Sequence, residues 1–233
     1  MRKKTFFMLA VILLGAAGIY AKYFRNAGEK EALNLPVVLL EEKSQKPDPL
    51  PLTEKNSASP EDRRGSLFQP PLPRAGKRVT KKKFGTFITP QDSPVQPERF
   101  RGYHTGTDFE IFPGEENLDI PVKAVCGGKL LIKKSATGYG GVAVASCDLN
   151  GEPITVVYGH LKLTSMNFND GDKIKAGDTL GILGAPYSAE TSGERKHLHL
   201  GFHKGASINI LGYVQNKSEL SGWTDSCQYI CQD

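Results

Sequence analysis

The chain from Phe84 onward is a succession of short apolar runs separated by glycine and by Asn or Asp turn residues. Runs of this length and composition predict β-strands, and no stretch shows the 3.6-residue period of a long amphipathic helix. One or two helical turns are expected at 161–166. This pattern predicts an all-β domain, built as a sheet, a sandwich or a barrel. The predicted strands are 121–125, 129–133, 141–146, 153–159, 179–183 and 197–202.

The first 25 residues have a different pattern. Arg2, Lys3 and Lys4 precede the uncharged, mostly apolar run 5–21, which is typical of an export signal or a membrane anchor. A run of this length lies at the lower limit for crossing a bilayer of about 30 Å. We favour an uncleaved anchor over a signal peptide cleaved near 15–17. In either case the chain is expected to leave the cytoplasm.

Residues 26–83 contain eight of the fifteen prolines and a single aromatic residue, Phe68. This composition predicts a disordered linker. Its end carries a basic cluster, which we interpret as a solvated end of the linker; contact with an anionic lipid or polymer is the alternative. The cluster consists of Arg74, Lys77, Arg78, Lys81, Lys82 and Lys83.

The positive charge of the chain belongs to this N-terminal part. Residues 1–83 contain 17 Lys and Arg against 8 Asp and Glu, whereas residues 84–233 contain 13 against 17, so the two parts carry +9 and −4. A nucleic-acid-binding protein places its basic stripe on the folded domain. The folded part is acidic here, so nucleic acid is not an expected partner.

The four cysteines predict disulfide bonds, because an even number in an exported chain points to pairing. Cys126 and Cys147 lie on either side of the turn signal at 137–141, and a hairpin with an off-centre turn would bring them together. Cys227 and Cys231 then form a short terminal loop by elimination. Four cysteines allow three connectivities, and the sequence alone does not choose between them.

All five histidines fall within 104–203, and two of their settings suggest a metal site. His104 and Asp108 are separated by three residues with a glycine between them, and zinc accepts both ligand types. A turn histidine hydrogen-bonded to Asp108 is the simpler alternative. The strand period of two places His197 and His199 on one face, so one can bind a metal while the other reaches a neighbouring water. His160 ends a predicted strand.

In chain order, these residues resemble the lysostaphin-type, or LytM-like, zinc endopeptidases that cleave peptide bonds in bacterial peptidoglycan. The resemblance covers about 84–214 and leaves 215–233, with Trp223, as a local extension. It implies an all-β fold of antiparallel sheets called the duplicated hybrid motif. The resemblance rests on His104-x-x-x-Asp108 and the segments PVKAVCGGKL, Tyr139-Gly140-Gly141, Tyr158-Gly159-His160, GDKIKAGDTLGILG and TSGERKHLHLGF.

The same resemblance implies the site and its chemistry. His104, Asp108 and His199 match the family's ligands for one Zn²⁺ per chain, and His160 and His197 match its two catalytic histidines. It implies a zinc metalloendopeptidase that acts on peptidoglycan peptides in the bacterial cell envelope, outside the cytoplasmic membrane. The family's tyrosine that assists the oxyanion has no assigned counterpart, and His203 is interpreted as a rim residue.

Two other functions stay open at this point. One is a domain of the same fold that binds peptidoglycan without cleaving it or activates a separate amidase. The other is a secreted structural β-domain with incidental histidines. Loss of ligand residues is expected in a non-cleaving domain, whereas all five positions of the predicted site are filled in this chain.

Overall fold

Antiparallel strands form nearly all the regular structure of residues 68–232, the part of the chain that the computed structural model describes. The all-β prediction is confirmed, and each of the six predicted strands coincides with an observed one. The strands are β1 (Phe87–Ile88), β2 (Gly102–His104), β3 (Gly106–Glu110), β4 (Pro121–Lys123), β5 (Gly128–Ala136), β6 (Gly140–Leu149), β7 (Glu152–Gly159), β8 (Leu161–Lys162), β9 (Lys173–Ile174), β10 (Thr179–Leu183), β11 (His197–Lys204), β12 (Tyr213–Val214) and β13 (Trp223–Thr224).

Helical structure within 68–232 is limited to short pieces. Two four-residue helices are α1 (Ala75–Arg78) and α2 (Cys227–Ile230). The 3₁₀ turns are Leu163–Ser165, Ala189–Thr191 and Lys217–Gly222. The first of these turns lies inside 161–166, where the sequence predicted helical turns.

The largest sheet has the strand order β13-β11-β7-β6-β5-β9, and β3 pairs with the first half of β11. Two three-stranded sheets, β1-β2-β12 and β4-β10-β8, complete the fold. Strand β11 is therefore flanked by β3 and β7, and His199 lies opposite Asp108 on one side and Gly159 on the other. This register brings three separate parts of the sequence to one point.

Strand β6 is buried on both faces, which explains its nearly continuous apolar sequence. Ala143 and Ala145 belong to the main hydrophobic core, whereas Val142 and Val144 pack with Trp223 in a second cluster. Successive side chains of a strand point to opposite faces. The central sheet is thus covered on both sides, and the histidine-bearing strand lies within this rigid frame.

The linker was predicted to extend to residue 83, but residues 68–83 pack against the domain. For this segment the prediction is wrong. Phe68 and Leu72 are buried in the core, and the backbone of Gln69 bonds to Val125. Arg78 and Lys82, from the cluster interpreted as solvated, are also buried. Sparse apolar residues among prolines gave no periodic signal, so only tertiary packing reveals this segment as part of the domain.

The remainder of the predicted linker and the apolar run 5–21 lie outside the described residues. Within 68–232, no helix has the length and apolar character needed to span a membrane.

Residues 215–233, interpreted as a local extension, pack onto the domain as far as residue 232. Strand β13 pairs with β11 at His203, and the Trp223 side chain is buried. Ile230 of α2 joins the main core. This segment therefore covers one edge of the large sheet.

Both predicted disulfide pairs are confirmed: Cys126 bonds to Cys147, and Cys227 bonds to Cys231. The first bond joins the segment just before β5 to the end of β6. The pairing of these two strands shifts register between Leu130 and Ile132, so the hairpin is irregular.

Removing the Cys126–Cys147 bond by replacing both residues with alanine is expected to lower the free energy of unfolding by about 2–5 kcal/mol. The bond links residues 21 apart, whereas Cys227 and Cys231 are only 4 apart. Because stabilisation grows with the closed loop, the double alanine variant of the second pair should lose less. Denaturant unfolding measures both, and a larger loss for the second pair would contradict this expectation.

Candidate metal centre and catalytic site

Three side chains meet at the junction of β2, β3 and β11: His104, Asp108 and His199. His104 Nε2 lies 3.0 Å from His199 Nδ1 and 3.3 Å from Asp108 Oδ1, and His199 Nδ1 lies 3.2 Å from the same oxygen. All three side chains are buried. The atoms form a nearly equilateral triangle, as the predicted convergence of these residues requires.

The triangle fits a zinc ion. Zinc bonds of about 2.0–2.2 Å at tetrahedral angles place neighbouring ligand atoms about 3.3–3.5 Å apart. A single hydrogen bond can account for only one of the three short distances between these atoms. A cation that binds all three atoms accounts for every one of them. Two imidazole nitrogens and one carboxylate oxygen are also a donor set that zinc prefers. The simple alternative of a turn histidine bonded to Asp108 does not account for His199.

Main-chain contacts fix the orientation of His104. Its Nδ1 lies 3.3 Å from the carbonyl oxygen of Lys83. A carbonyl only accepts hydrogen bonds, so Nδ1 carries the hydrogen and the neutral ring presents a lone pair at Nε2. Metal-binding histidines usually donate their second ring N–H in this way. Lys83 thus contributes to the site through its backbone.

Glycine at position 106 gives His199 the space it occupies. A Cβ atom there would lie 2.6 Å from His199 Nε2 and 2.7 Å from the carbonyl oxygen of Leu200. Gly106 pairs with Gly201 in the register of β3 and β11, so both strands approach closely beside the ligand. The glycine that the sequence places between His104 and Asp108 is therefore needed for packing against the His199 ring.

His197 and His160 lie beside the triangle with their rings together. The ring centroids are 4.2 Å apart, and His197 Nε2 is 3.3 Å from Asp108 Oδ2. His197 Nδ1 lies 2.9 Å from the Arg195 carbonyl oxygen, so it is the donor nitrogen and Nε2 is unprotonated in the neutral ring. The structure thus brings together all five residues that the sequence predicted.

His160 is held in an unusual backbone conformation. Its φ angle is 65°, in the left-handed region that residues other than glycine seldom adopt. The amide of Gly184 donates to the His160 carbonyl, and β7 and β8 continue on either side. Local strain of this kind persists where surrounding structure imposes it. This turn places the His160 ring in contact with that of His197.

Burial shifts the pKa values of two of these histidines and of Asp108. Burial lowers the pKa of His160 well below its ordinary value, and the charge of His197 acts in the same direction. Burial also lowers the pKa of His199 to about 4, although the hydrogen bond that His199 donates to Asp108 acts in the opposite direction. Burial alone would raise the pKa of Asp108, but His197 and His104 lower it well below its ordinary value. Neutral imidazoles and an ionised carboxylate are the forms that bind metals.

A cavity of about 480 Å³ opens over the five residues and has aromatic walls. Phe100 and Tyr213 stack with centroids 5.3 Å apart, and Tyr213 Oη accepts a hydrogen bond of 3.0 Å from Lys82. Tyr139 Oη is buried and has no hydrogen-bond partner within residues 68–232. Burial raises the pKa of both tyrosines, so they remain hydrogen-bond donors.

Sequence reasoning missed several residues of this cavity. Lys82 was assigned to the linker, but its ammonium group pairs with the buried Glu98 beside Tyr213. Arg195 was quoted only as part of a motif, yet it contacts Asp108 directly. Its position two residues before His197, on the same face of an extended segment, was the signal available. No comparable signal linked Lys82 to Glu98.

His203 does not join the site. It is half-buried at the far end of β11, and its ring packs 4.8 Å from that of Trp223. This partly buried position agrees with the interpretation of His203 as a rim or surface residue.

Solved structures similar to the chain include the following three. The catalytic domain of lysostaphin from Staphylococcus simulans has 21% identity and a TM-score of 0.45, over 66% of this chain and 93% of that one. LytU has 25% identity and a TM-score of 0.42, over 64% and 84%. Csd3 from Helicobacter pylori has 21% identity and a TM-score of 0.40, over 69% and 37%.

The match to a family model is more direct. No curated protein is a significant match to the chain. The model of peptidase family M23, however, matches residues 102–210, a range that includes all five site residues from His104 to His199. The predicted resemblance to the LytM-like peptidases is confirmed, because residues 102–210 of this chain match the model of peptidase family M23.

Proposed function

We propose that the protein is a zinc-dependent endopeptidase that hydrolyses peptide bonds in peptidoglycan. The observation that carries the proposal is the buried triangle of His104, Asp108 and His199, with two further histidines beside it. A structural zinc site is closed by four protein ligands, whereas three ligands leave a position open for water or substrate. The open side adjoins a cavity large enough to admit a peptide segment.

The three ligands would hold one Zn²⁺ through His104 Nε2, Asp108 Oδ1 and His199 Nδ1. When bound, zinc lowers the pKa of water toward neutrality and polarises a carbonyl group as a Lewis acid. The chain supplies ligands already oriented for this purpose, because β2, β3 and β11 are fixed by their pairing and His104 is fixed by Lys83.

His160 and His197 would handle the proton. Their rings lie in contact, and the lone pair of His197 Nε2 faces the site because its Nδ1 donates to a carbonyl. In peptide hydrolysis a base takes a proton from the attacking water, and an acid returns a proton to the leaving amine. A neutral imidazole can do both in turn. Tyr139 and Tyr213 can donate hydrogen bonds to a peptide carbonyl within the cavity.

The match of residues 102–210 to the model of peptidase family M23 and the resemblance to LytM-like enzymes support peptidoglycan as the substrate. The basic start and the apolar run 5–21 support an envelope location, outside the cytoplasmic membrane. The two disulfide bonds fit an oxidising compartment of this kind. Residues 1–25 would anchor the protein in the membrane, and residues 26–67 would tether the folded domain at a distance that reaches the cell wall.

Zinc dependence is tested by metal removal. The purified protein is expected to contain one zinc per chain, and a chelator should abolish the clearing of a peptidoglycan suspension. Added zinc should restore it, because the ligands are fixed by the fold. Metal analysis and turbidity measure the two effects on the same sample. Protein that binds zinc but clears peptidoglycan of no chemotype would instead support a non-cleaving domain.

A further inference from the structure

Arg195 joins two acidic side chains of β3 beside the metal centre. Its Nη2 lies 2.9 Å from Asp108 Oδ2, and its Nε lies 3.1 and 2.9 Å from the two oxygens of Glu110. Nη2 also contacts Glu110. Asp108 and Glu110 are two residues apart on one strand, so both face the same side. The guanidinium group bridges them with its planar, rigid set of donors.

The bridge determines how the two oxygens of Asp108 are used. Oδ1 belongs to the triangle with His104 and His199, whereas Oδ2 accepts from Arg195 and lies 3.3 Å from His197 Nε2. The terminal torsion of an aspartate is broad and roughly two-fold, so the carboxylate has little intrinsic preference. A charge-assisted bond to one oxygen selects one orientation.

The backbone of Arg195 acts on the neighbouring histidine. Its carbonyl accepts from His197 Nδ1 at 2.9 Å, and this contact turns the ring so that Nε2 lies 3.3 Å from Asp108 Oδ2. One residue therefore orients a metal ligand through its side chain and a proton-transfer group through its main chain.

The charges of this group explain why it is stable when buried. Arg195, Glu110 and Asp108 are all at least nine-tenths buried, and an isolated charge in such a place would be costly. Glu110 neutralises Arg195, so Asp108 keeps its negative charge for a cation. Lys81 also approaches Glu110, at 3.7 Å from the surface side.

We propose that Arg195 is a positioning residue that holds Asp108 with one oxygen toward the metal and the other toward His197. Glu110 holds the guanidinium in place. The arrangement couples the metal centre to the proton-transfer histidines through a single carboxylate. This inference rests on the proposed zinc site and concerns residues that the five-residue motif does not include.

Zinc affinity tests the proposal without reference to activity. Arg195→Lys keeps the charge but loses the planar set of donors, and Arg195→Met combined with Glu110→Gln removes both charges together. Each is expected to raise the zinc Kd about 10–100-fold, the usual effect of losing a partner of a metal ligand. Competition with a chromophoric chelator, at a temperature well below each Tm, measures this. The visible spectrum of the cobalt-loaded protein should also change, because Asp108 coordinates differently.

Arg99→Met is the matched control. Arg99 forms an ion pair of 2.7 Å with Glu194, the residue that precedes Arg195. The Arg99 side chain is exposed, and within residues 68–232 it makes no contact with Asp108. Its zinc Kd and cobalt spectrum should equal those of wild type.

Each remaining outcome is decisive. Folded Arg195 variants with wild-type zinc affinity and spectrum would overturn the proposal. Loss of the fold in both variants would also overturn it, because Arg195 would then serve folding and not positioning. If wild-type protein binds no zinc, the proposed function itself fails, which is a distinguishable result.

Discussion

Replacing His199 with alanine is expected to abolish zinc binding and peptidoglycan hydrolysis together. His199 Nδ1 is one corner of the triangle, at 3.0 Å from His104 Nε2 and 3.2 Å from Asp108 Oδ1. Its loss leaves two ligands, too few to retain a catalytic zinc, which is held by three. Metal content after dialysis and release of peptidoglycan fragments measure the two losses. Asp108→Ala should behave in the same way.

His203→Ala is the matched control for this prediction. It removes an imidazole from the same strand, but His203 packs against Trp223 and takes no part in the triangle. Zinc content and hydrolysis should stay near wild type. A His199→Ala protein that keeps its zinc while His160→Ala loses it would show that the ligand assignment is wrong.

Replacing His160 should separate activity from metal binding. His160 lies beside His197 and outside the triangle, so His160→Ala should keep its zinc. General acid–base groups contribute about 10²–10⁴-fold, and hydrolysis should fall by about that factor. His197→Ala should lose a similar amount. Initial rates at saturating zinc, with metal content measured on the same samples, provide the test.

The backbone at His160 calls for a second variant. Because its φ is 65°, alanine there carries a conformational cost unrelated to catalysis. Asparagine tolerates the left-handed region better, so His160→Asn keeps the turn while removing the imidazole. Both variants should be equally inactive. Near wild-type hydrolysis by folded, zinc-loaded His160→Asn would remove His160 from the mechanism.

Local patterns in the sequence predicted much of this structure. The alternation in β11 placed His197 and His199 on one face, and both are buried at the site. The turn at 137–141 predicted the hairpin that joins Cys126 to Cys147. These features depend on residues close together in the chain, for which the period of a strand or the chemistry of a turn is sufficient.

The resemblance to a known family predicted that His104, Asp108 and His199 meet, but other features that depend on distant pairs left no local signal in the sequence. Lys82 and Glu98 look like solvated charges in sequence, but the fold buries them against each other. Strands β2 and β3 were not recognised, because glycine and polar residues replace the usual apolar alternation there. They are buried because of their pairing with β11 and β12. The backbone role of Lys83, at the predicted end of the linker, follows only from the structure.

The products of peptidoglycan digestion provide the decisive measurement. Zinc-loaded wild-type protein, incubated with purified peptidoglycans of several chemotypes, should release fragments whose masses show one added water at a peptide bond and a new free amine. Metal-free protein and zinc-loaded His160→Ala should each release fragments at a rate at least about 10²-fold below that of zinc-loaded wild type. Peptidoglycans left intact by protein with full zinc occupancy, or fragments cut at a glycosidic bond, would contradict the assignment as a zinc endopeptidase.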